Sequence, residues 1–258
     1  MSDKISVVIN TYNAAEHLAE VLESVKEFDE VVICDMESTD DTLDIARRYG
    51  CKIVTFPKGE HKICEPARDF AIHSASCDWV FVVDADEVIP PTLREYLYRM
   101  IATVGFKSAL VVPRVNRFMG DRVQDTPDYQ LRFFLKDKAY WPPIIHARPV
   151  IEGNDIKNIP VKRELSLIHL DNPSITQRIS KMNVYSDYEV PKRRHKKYGV
   201  GKLLFRPAWF FVKSYIFAGG FLHGRKGVIK AYMASIYQIM LLSKLTEDSI
   251  ESSKTTRK

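Results

Sequence analysis

The first hundred residues alternate short apolar runs with amphipathic helical patterns, and this rhythm constrains the chain more than any other feature. Ile5 to Ile9, Val31 to Cys34, Lys52 to Phe56 and Trp79 to Val83 read as buried strands. Between them, Ala15 to Val25 sets Leu18, Val21, Leu22 and Val25 on one helical face, Asp41 to Tyr49 and Pro66 to Ser74 repeat the helix, and Pro91 and Thr92 open a further one through Ile101. Strands separated by helices in this order predict an α/β fold, a mostly parallel sheet with flanking helices. Ligands of such sheets lie beyond the carboxyl ends of the strands, so the residues after each run matter most.

After Gly105 the rhythm changes. Ala109 to Pro113, Tyr129 to Leu135, Ile144 to Ile151 and Glu164 to Leu170 read as strands between Pro-rich and Asp-rich loops, a mixed continuation of the sheet. Residues 173 to 198 turn helical, and the remainder is helical, aromatic and basic. The chain therefore divides into a domain over 1–172, in halves 1–105 and 106–172, and a helical module over 173–258 with a flexible end. At 258 residues, 45% hydrophobic and 28% charged, disordered and disulfide-stapled classes are excluded. Cys34, Cys51, Cys64 and Cys77 form no zinc or disulfide spacing and read as reduced cytosolic thiols; the opening MSDKISVVIN carries charges where a signal peptide needs an apolar core. No stretch is apolar for the roughly 20 residues that a transmembrane helix needs.

Charge is unevenly spread. Residues 191 to 258 hold 15 Lys/Arg against 3 Asp/Glu, whereas residues 1 to 190 hold 23 against 30. An acidic body with a basic tail points the tail at an anionic surface, membrane lipid or nucleic acid.

Three strand ends carry polar clusters: Asn10-Thr11-Tyr12-Asn13, Asp35-Met36-Glu37-Ser38-Thr39-Asp40 and Asp84-Ala85-Asp86-Glu87. In an extended segment Asp84 and Asp86 point the same way, about 7 Å apart, close enough to share a ligand. Two carboxylates with one target call for a cation, and Mg²⁺ held by carboxylates and substrate phosphates makes a metal-bound nucleoside diphosphate the natural partner. The competing reading is a solvated acidic turn in which Glu87 starts the next helix. Ser38 or Thr39 is expected to cap the helix near Asp41, leaving Asp35 to accept hydrogen bonds from a base or ribose.

ISVVINTYNAAEHL, EVVICDMESTDDTLDIARRYG, the Arg68 of PARDFAI and WVFVVDADEVIPPTL resemble, in order and spacing, the motifs of family 2 glycosyltransferases with the GT-A fold. Within that family, PDYQLRFF, Trp141 with IIHARPVI, a strand ending in His169 and the GFLHGRKG stretch resemble the bacterial lipopolysaccharide-core sugar transferase branch. The resemblance implies that Thr11, Asn13 and Asp35 line the base and ribose and that Arg68 faces the base or diphosphate. It further implies that Asp84 meets the ribose or metal and that Asp86 holds a divalent metal, Mg²⁺ or Mn²⁺, at the diphosphate. The halves of the first domain would then be nucleotide-binding (1–105) and acceptor-binding (106–172).

An inverting displacement also needs a general base for the acceptor hydroxyl. Relatives carry a His-Glu pair where this chain reads His146-Ala147, so Asp128 is the expected substitute, with Asp125 next; both also read as ordinary loop carboxylates. Arg132 and His146 are candidates to hold diphosphate or acceptor, or to serve structure, and His169 is a candidate metal or phosphate ligand. Asp69 stands where many relatives have Asn. The aromatic, basic tail suits a peripheral membrane module; nucleic acid is the weaker reading, because no nucleic-acid motif accompanies it. The expectation is a metal-dependent, inverting transfer from a nucleoside-diphosphate sugar to an envelope glycan or lipid-linked acceptor, such as lipopolysaccharide core, at the inner face of the cytoplasmic membrane. The rivals are a sugar-nucleotide pyrophosphorylase, which would want a Gly-rich phosphate loop that NTYNAAEHL lacks, and a non-catalytic sugar-nucleotide or membrane-binding module.

Overall fold

The computed structural model describes residues 3–61, 64–122, 128–144, 147–171, 173–196 and 198–255. The chain forms two compact units, Met1–Val115 with Pro127–Leu170, and Asn116–Thr126 with Asp171–Lys258. The boundary expected at Asn172, together with Asp125 and His146, lies outside the described residues.

In the first unit the expected alternation is present: β1 (Ile5–Thr11), α1 (Ala15–Val25), β2 (Glu30–Asp35), α2 (Thr42–Arg48), β3 (Lys52–Thr55), α3 (Glu65–His73), β4 (Trp79–Asp84), then a short β5 (Glu87–Val88) and α4 (Pro91–Ile101). β1 pairs in parallel with β2 and β4, and β2 with β3. The side-chain period of two sorts the strands onto two faces. Val7, Ile9, Phe81 and Val83 join Leu18, Leu22, Leu93 and Leu97 of α1 and α4, while Val8, Val32, Val80 and Val82 join Ala67, Ala71 and Ile72 of α3.

Beyond α4 the sheet becomes mixed. β6 (Ala109–Val115) and β9 (Asp128–Leu135) are antiparallel, β9 runs antiparallel to β4, and β12 (Ile156–Asn158) and β13 (Leu167–His169) flank β6 in parallel. The sheet order is β3-β2-β1-β4-β9-β6-β13-β5. A separate pair joins β10 (Ala139–Tyr140) to β11 (Val150–Ile151). The strand expected over Ile144 to Ile151 is thus confined, among the described residues, to β11, because Pro142, Pro143 and Pro149 supply no N–H to a ladder. The strand expected from Glu164 begins only at Leu167, since Arg163–Leu165 forms a 3₁₀ turn.

The second unit contains the hairpin β7 (Arg117–Phe118) and β8 (Asp121–Arg122), with α5 (Ile175–Arg193), α6 (Val200–Val212) and α7 (Gly224–Thr255). Ser174 and Gln177 start α5 with a reciprocal capping box. α7 packs against α5 and α6, and α6 runs into a π-helical turn, Lys213–Phe217, and a 3₁₀ turn, Gly220–His223. Among the described residues no helix is long and apolar enough to cross a membrane. The four cysteines are free, and burial pushes the Cys34 thiol up to about 12.

Candidate active site

The ends of β1 and β2 are knitted together. Thr11, 2% exposed, donates its hydroxyl to Asp35 Oδ1 at 2.8 Å, and Asp35, 1% exposed, also accepts from the Ser38 hydroxyl at 2.6 Å and the Ser38 N–H at 2.8 Å. Asp35 thus organises the turn after its own strand. Ser38 is spent on that turn, so neither it nor Thr39 caps α2; the Asp40 carboxylate accepts from the Thr42 N–H at 3.1 Å instead. Asn13 is held at φ +48°, a conformation that Asn tolerates better than most residues, and its Oδ1 accepts from the Thr39 N–H at 2.8 Å. Nearby, Lys58 Nζ lies 4.2 Å from the ring centre of the half-exposed Tyr12.

The Asp84-Ala85-Asp86-Glu87 segment is not extended. β4 ends at Asp84, and the fully buried Glu87 folds its carboxylate back to accept the Asp84 N–H at 2.9 Å, which makes residues 85 and 86 a turn. The two aspartates consequently meet different partners. Asp84 is gripped by Arg68 of α3 (Nη2 to Oδ1, 2.7 Å) and by Arg132 of β9 (Nη2 to Oδ2, 2.6 Å; Nη1 to Oδ1, 3.3 Å). Burial opposes its charge, yet Arg132 and Arg68 outweigh burial and hold the carboxyl well below the usual range. Asp86 Oδ2 lies 3.0 Å from His169 Nε2. Burial disfavours the imidazolium, but the bond to Asp86 and its charge prevail and raise the His169 pKa. The antiparallel β5–β13 pair, with His169 opposite Glu87 and the Leu170 N–H donating to Asp86 O at 2.7 Å, sets this spacing.

One residue that the strand-end reading passed over completes the network. Arg114 of β6 donates from Nη1 to Glu87 Oε1 at 2.9 Å, and from Nε and Nη2 to Asp128 Oδ2 at 2.9 and 2.5 Å. Asp128 Oδ1 also accepts from Gln130 at 2.8 Å. Charges therefore alternate along Arg68, Asp84, Arg132, Glu87, Arg114 and Asp128, with Arg132 3.8 Å from Glu87. Trp141 lies beside the two guanidiniums that hold Asp84, its ring centre 4.8 Å from Arg68 and 5.8 Å from Arg132, and its backbone N–H bonds to Asp69 Oδ1 at 2.9 Å.

Among the described residues, Arg68 Nη1, Arg132 Nε and Trp141 Nε1 are buried without a hydrogen-bond partner, as are both amide atoms of Asn10, which stands opposite Asp84 in the β1–β4 register. Leaving such a group unmade costs about 1–3 kcal/mol. Donors grouped in this way around one carboxylate suit an anionic acceptor. The Asp86–His169 pair, a carboxylate oxygen and an imidazole nitrogen 3.0 Å apart, offers donor types that a divalent cation takes. The chain thus brings Thr11 to Asp35, Arg68 to Asp84, and Asp86 to His169, while Asp128 joins through Arg114.

The family model for Glycosyl transferase family 2 matches residues 6–152. The chain is 28% identical over 262 residues to an uncharacterized glycosyltransferase of Rickettsia typhi, covering 96% of this chain and 89% of that protein. It is 26% identical over 253 residues to the lipopolysaccharide core biosynthesis glycosyltransferase LpsC of Rhizobium meliloti, covering 93% and 91%. Among solved structures, it matches the mannosyltransferase PcManGT of Pyrobaculum calidifontis, in complex with GDP-Man and Mn²⁺, with a TM-score of 0.57, 18% identity, and 95% and 87% of the two chains covered. That likeness establishes the GT-A fold.

Proposed function

The chain belongs to glycosyl transferase family 2, and from that premise we propose that it transfers a sugar, with inversion and metal dependence, from a nucleoside diphosphate to an envelope glycan or lipid-linked acceptor. The observation that carries the reading is the Asp84 carboxylate held between Arg68 and Arg132, beside three buried N–H groups without partners among the described residues. Such a site matches a diphosphate leaving group, whose developing charge is the main electrostatic problem of the reaction. The similarity to LpsC favours lipopolysaccharide core as the acceptor class and the cytoplasmic membrane face as the workplace.

In this reading Thr11, Asn13 and Asp35 shape the base and ribose pocket, with Asp35 acting through the turn it holds. Arg68 and Arg132 orient the diphosphate and, with the Trp141 indole N–H, take up charge as the glycosidic bond breaks. Asp86 and His169 would hold Mg²⁺ or Mn²⁺, with Asp84 as the neighbouring carboxylate; when bound, that ion would supply Lewis-acid stabilisation of the diphosphate oxygens. His169 must shed its proton to ligate, because only the neutral ring has a free lone pair. Asp128 receives the acceptor proton, and the Arg114 fork fixes the direction in which it points.

Incubation of the protein with Mn²⁺ or Mg²⁺ and a panel of nucleotide sugars tests the proposal. Metal-dependent release of nucleoside diphosphate, abolished in Asp86→Asn, is expected. Pyrophosphate chemistry would favour a pyrophosphorylase, and tight binding without turnover a binding module; either would sink the reading.

A further inference from the structure

α6 presents the wrong face to water for a soluble helix. Its packed side is defined by Leu203, Arg206, Pro207, Phe210 and Phe211: Arg206 Nε donates to Gln238 of α7 at 2.8 Å, Pro207 is buried, and the Phe211 ring lies 4.9 Å from Tyr232. The spacing i, i+3, i+4, i+7, i+8 is one helical stripe, so the opposite stripe should be polar. It is apolar instead: Phe205 and Trp209, opposite the packed stripe, are 75% and 54% exposed, Val200 and Leu204 at its edge are 72% and 66% exposed, and the turns that follow add Phe217 at 71% and Leu222 at 73%. The band is continuous from helix to π-turn, since the Trp209 and Phe217 rings are 5.7 Å apart.

The charge along the sequence around α6 is of one sign. From residue 190 to residue 246 the sequence has twelve Lys or Arg and no Asp or Glu. Lys192, Lys196, Lys202, Lys213 and Arg225 are exposed and stand on both sides of the apolar band in the sequence.

We propose that the outward face of α6, with the π-turn and 3₁₀ turn after it, is an interfacial anchor that lies in the headgroup region of an anionic phospholipid bilayer. This rests on the membrane-side reading above and names the element and the lipid class. A second copy of the chain would bring two cationic rims together, and exposed aliphatic side chains such as Val200, Leu204 and Leu222 do not stack on bases, so charge and chemistry both select lipid. With 13 residues α6 is about 20 Å long, short of the roughly 30 Å hydrocarbon core, so it lies along the surface. Trp209 and Phe217 settle at the boundary, where aromatic rings are enriched.

Full-length protein is mixed with vesicles of phosphatidylcholine alone and of phosphatidylcholine with 30% phosphatidylglycerol, a lipid ratio of about one anion in three. Bound fraction is read by sedimentation and insertion by tryptophan emission. Trp79 and Trp141 are buried, so a blue shift on binding reports Trp209. Binding about tenfold tighter to the anionic vesicles, a blue shift, and loss of both in Leu204→Glu/Phe205→Glu are expected. Lys202→Glu/Lys213→Glu should weaken binding as well. Unchanged binding of the Leu204→Glu/Phe205→Glu variant would overturn the proposal. So would wild-type self-association that this variant abolishes without vesicle binding. Nucleoside diphosphate release in vesicle-free solution, measured on the same proteins, separates the two readings: its absence from the wild type refutes the transfer reaction while leaving the vesicle result to decide the anchor.

Discussion

Asp69 accepts the backbone N–H of Trp141 at 2.9 Å, a bond between the middle of a helix and a proline-rich loop 72 residues later. It fixes Trp141 where its ring flanks Arg68, the neighbour of Asp69 in the sequence. An asparagine at 69, as in many family relatives, would offer the same carbonyl oxygen. Asp69→Asn is therefore expected to keep kcat/KM within about threefold of wild type, whereas Asp69→Ala should lose about tenfold through the displaced loop, the value of one hydrogen bond. The conservative variant decides between positioning and charge, since equal losses in both would mean that the negative charge matters.

The Arg132 fork on Asp84 depends on guanidinium geometry. A lysine can place one ammonium near the carboxylate but cannot span both oxygens. Arg132→Lys is expected to lower kcat by about 10²-fold with a smaller change in KM, as for loss of a donor to a developing charge. Steady-state kinetics with a saturating metal ion checks this, and a change confined to KM would move Arg132 to ground-state binding.

Arg114 and Glu87 show where sequence reading stopped. The strands and helices of the first hundred residues are legible because each strand is a short apolar run and each helix between them keeps an apolar face at a period of 3.6. A lone arginine in an apolar strand carries no such signal; Arg114 acquires meaning only when the β6–β9 register sets it opposite Asp128. Glu87 reads as a helix start, and its complete burial follows from a two-residue strand, too short for any pattern. The same limit hid β10. The strand-end rule singles out Asp84 and Asp86, and the turn closed by Glu87 sends them to separate partners. Glu87→Gln keeps the Asp84 N–H acceptor but removes the charge that Arg114 meets, and a drop in unfolding free energy of about 3 kcal/mol is expected from the broken buried pair. Denaturant unfolding measures it.

Acid stability has a distinct source at the opposite end of β2. Burial opposes the charge of Glu30, but hydrogen bonds from the Ser6 hydroxyl and from the Ser76 N–H and hydroxyl prevail and lower its pKa. A lowered folded value means that the stabilisation is complete above the ordinary glutamate value of 4.5 and fades as pH falls through the folded one. Glu30→Gln should then cost about 1–2 kcal/mol at pH 7 and progressively less below pH 4.5. Unfolding midpoints of the two proteins across that range test the sign; a gap that widens in acid would refute it.

Two helical glycines of the second unit make opposite demands. A Cβ on Gly227, in α7, would stand 1.8 Å from the carbonyl oxygen of Gly220, so the 3₁₀ turn rests directly on the helix backbone at that point. No side-chain rotation relieves a clash with backbone, and the turn or the helix must move. Gly227→Ala is expected to destabilise the second unit by about 3 kcal/mol, the upper end for forced overpacking. Gly201, in α6, has open space where its Cβ would be built, and alanine there should stabilise by about 0.5–1 kcal/mol by restricting the unfolded chain. Thermal unfolding together with limited proteolysis of residues 190–230 reads both variants. Similar stability for the two would mean that the Gly220–Gly227 contact yields without cost and that the turn is not held by it.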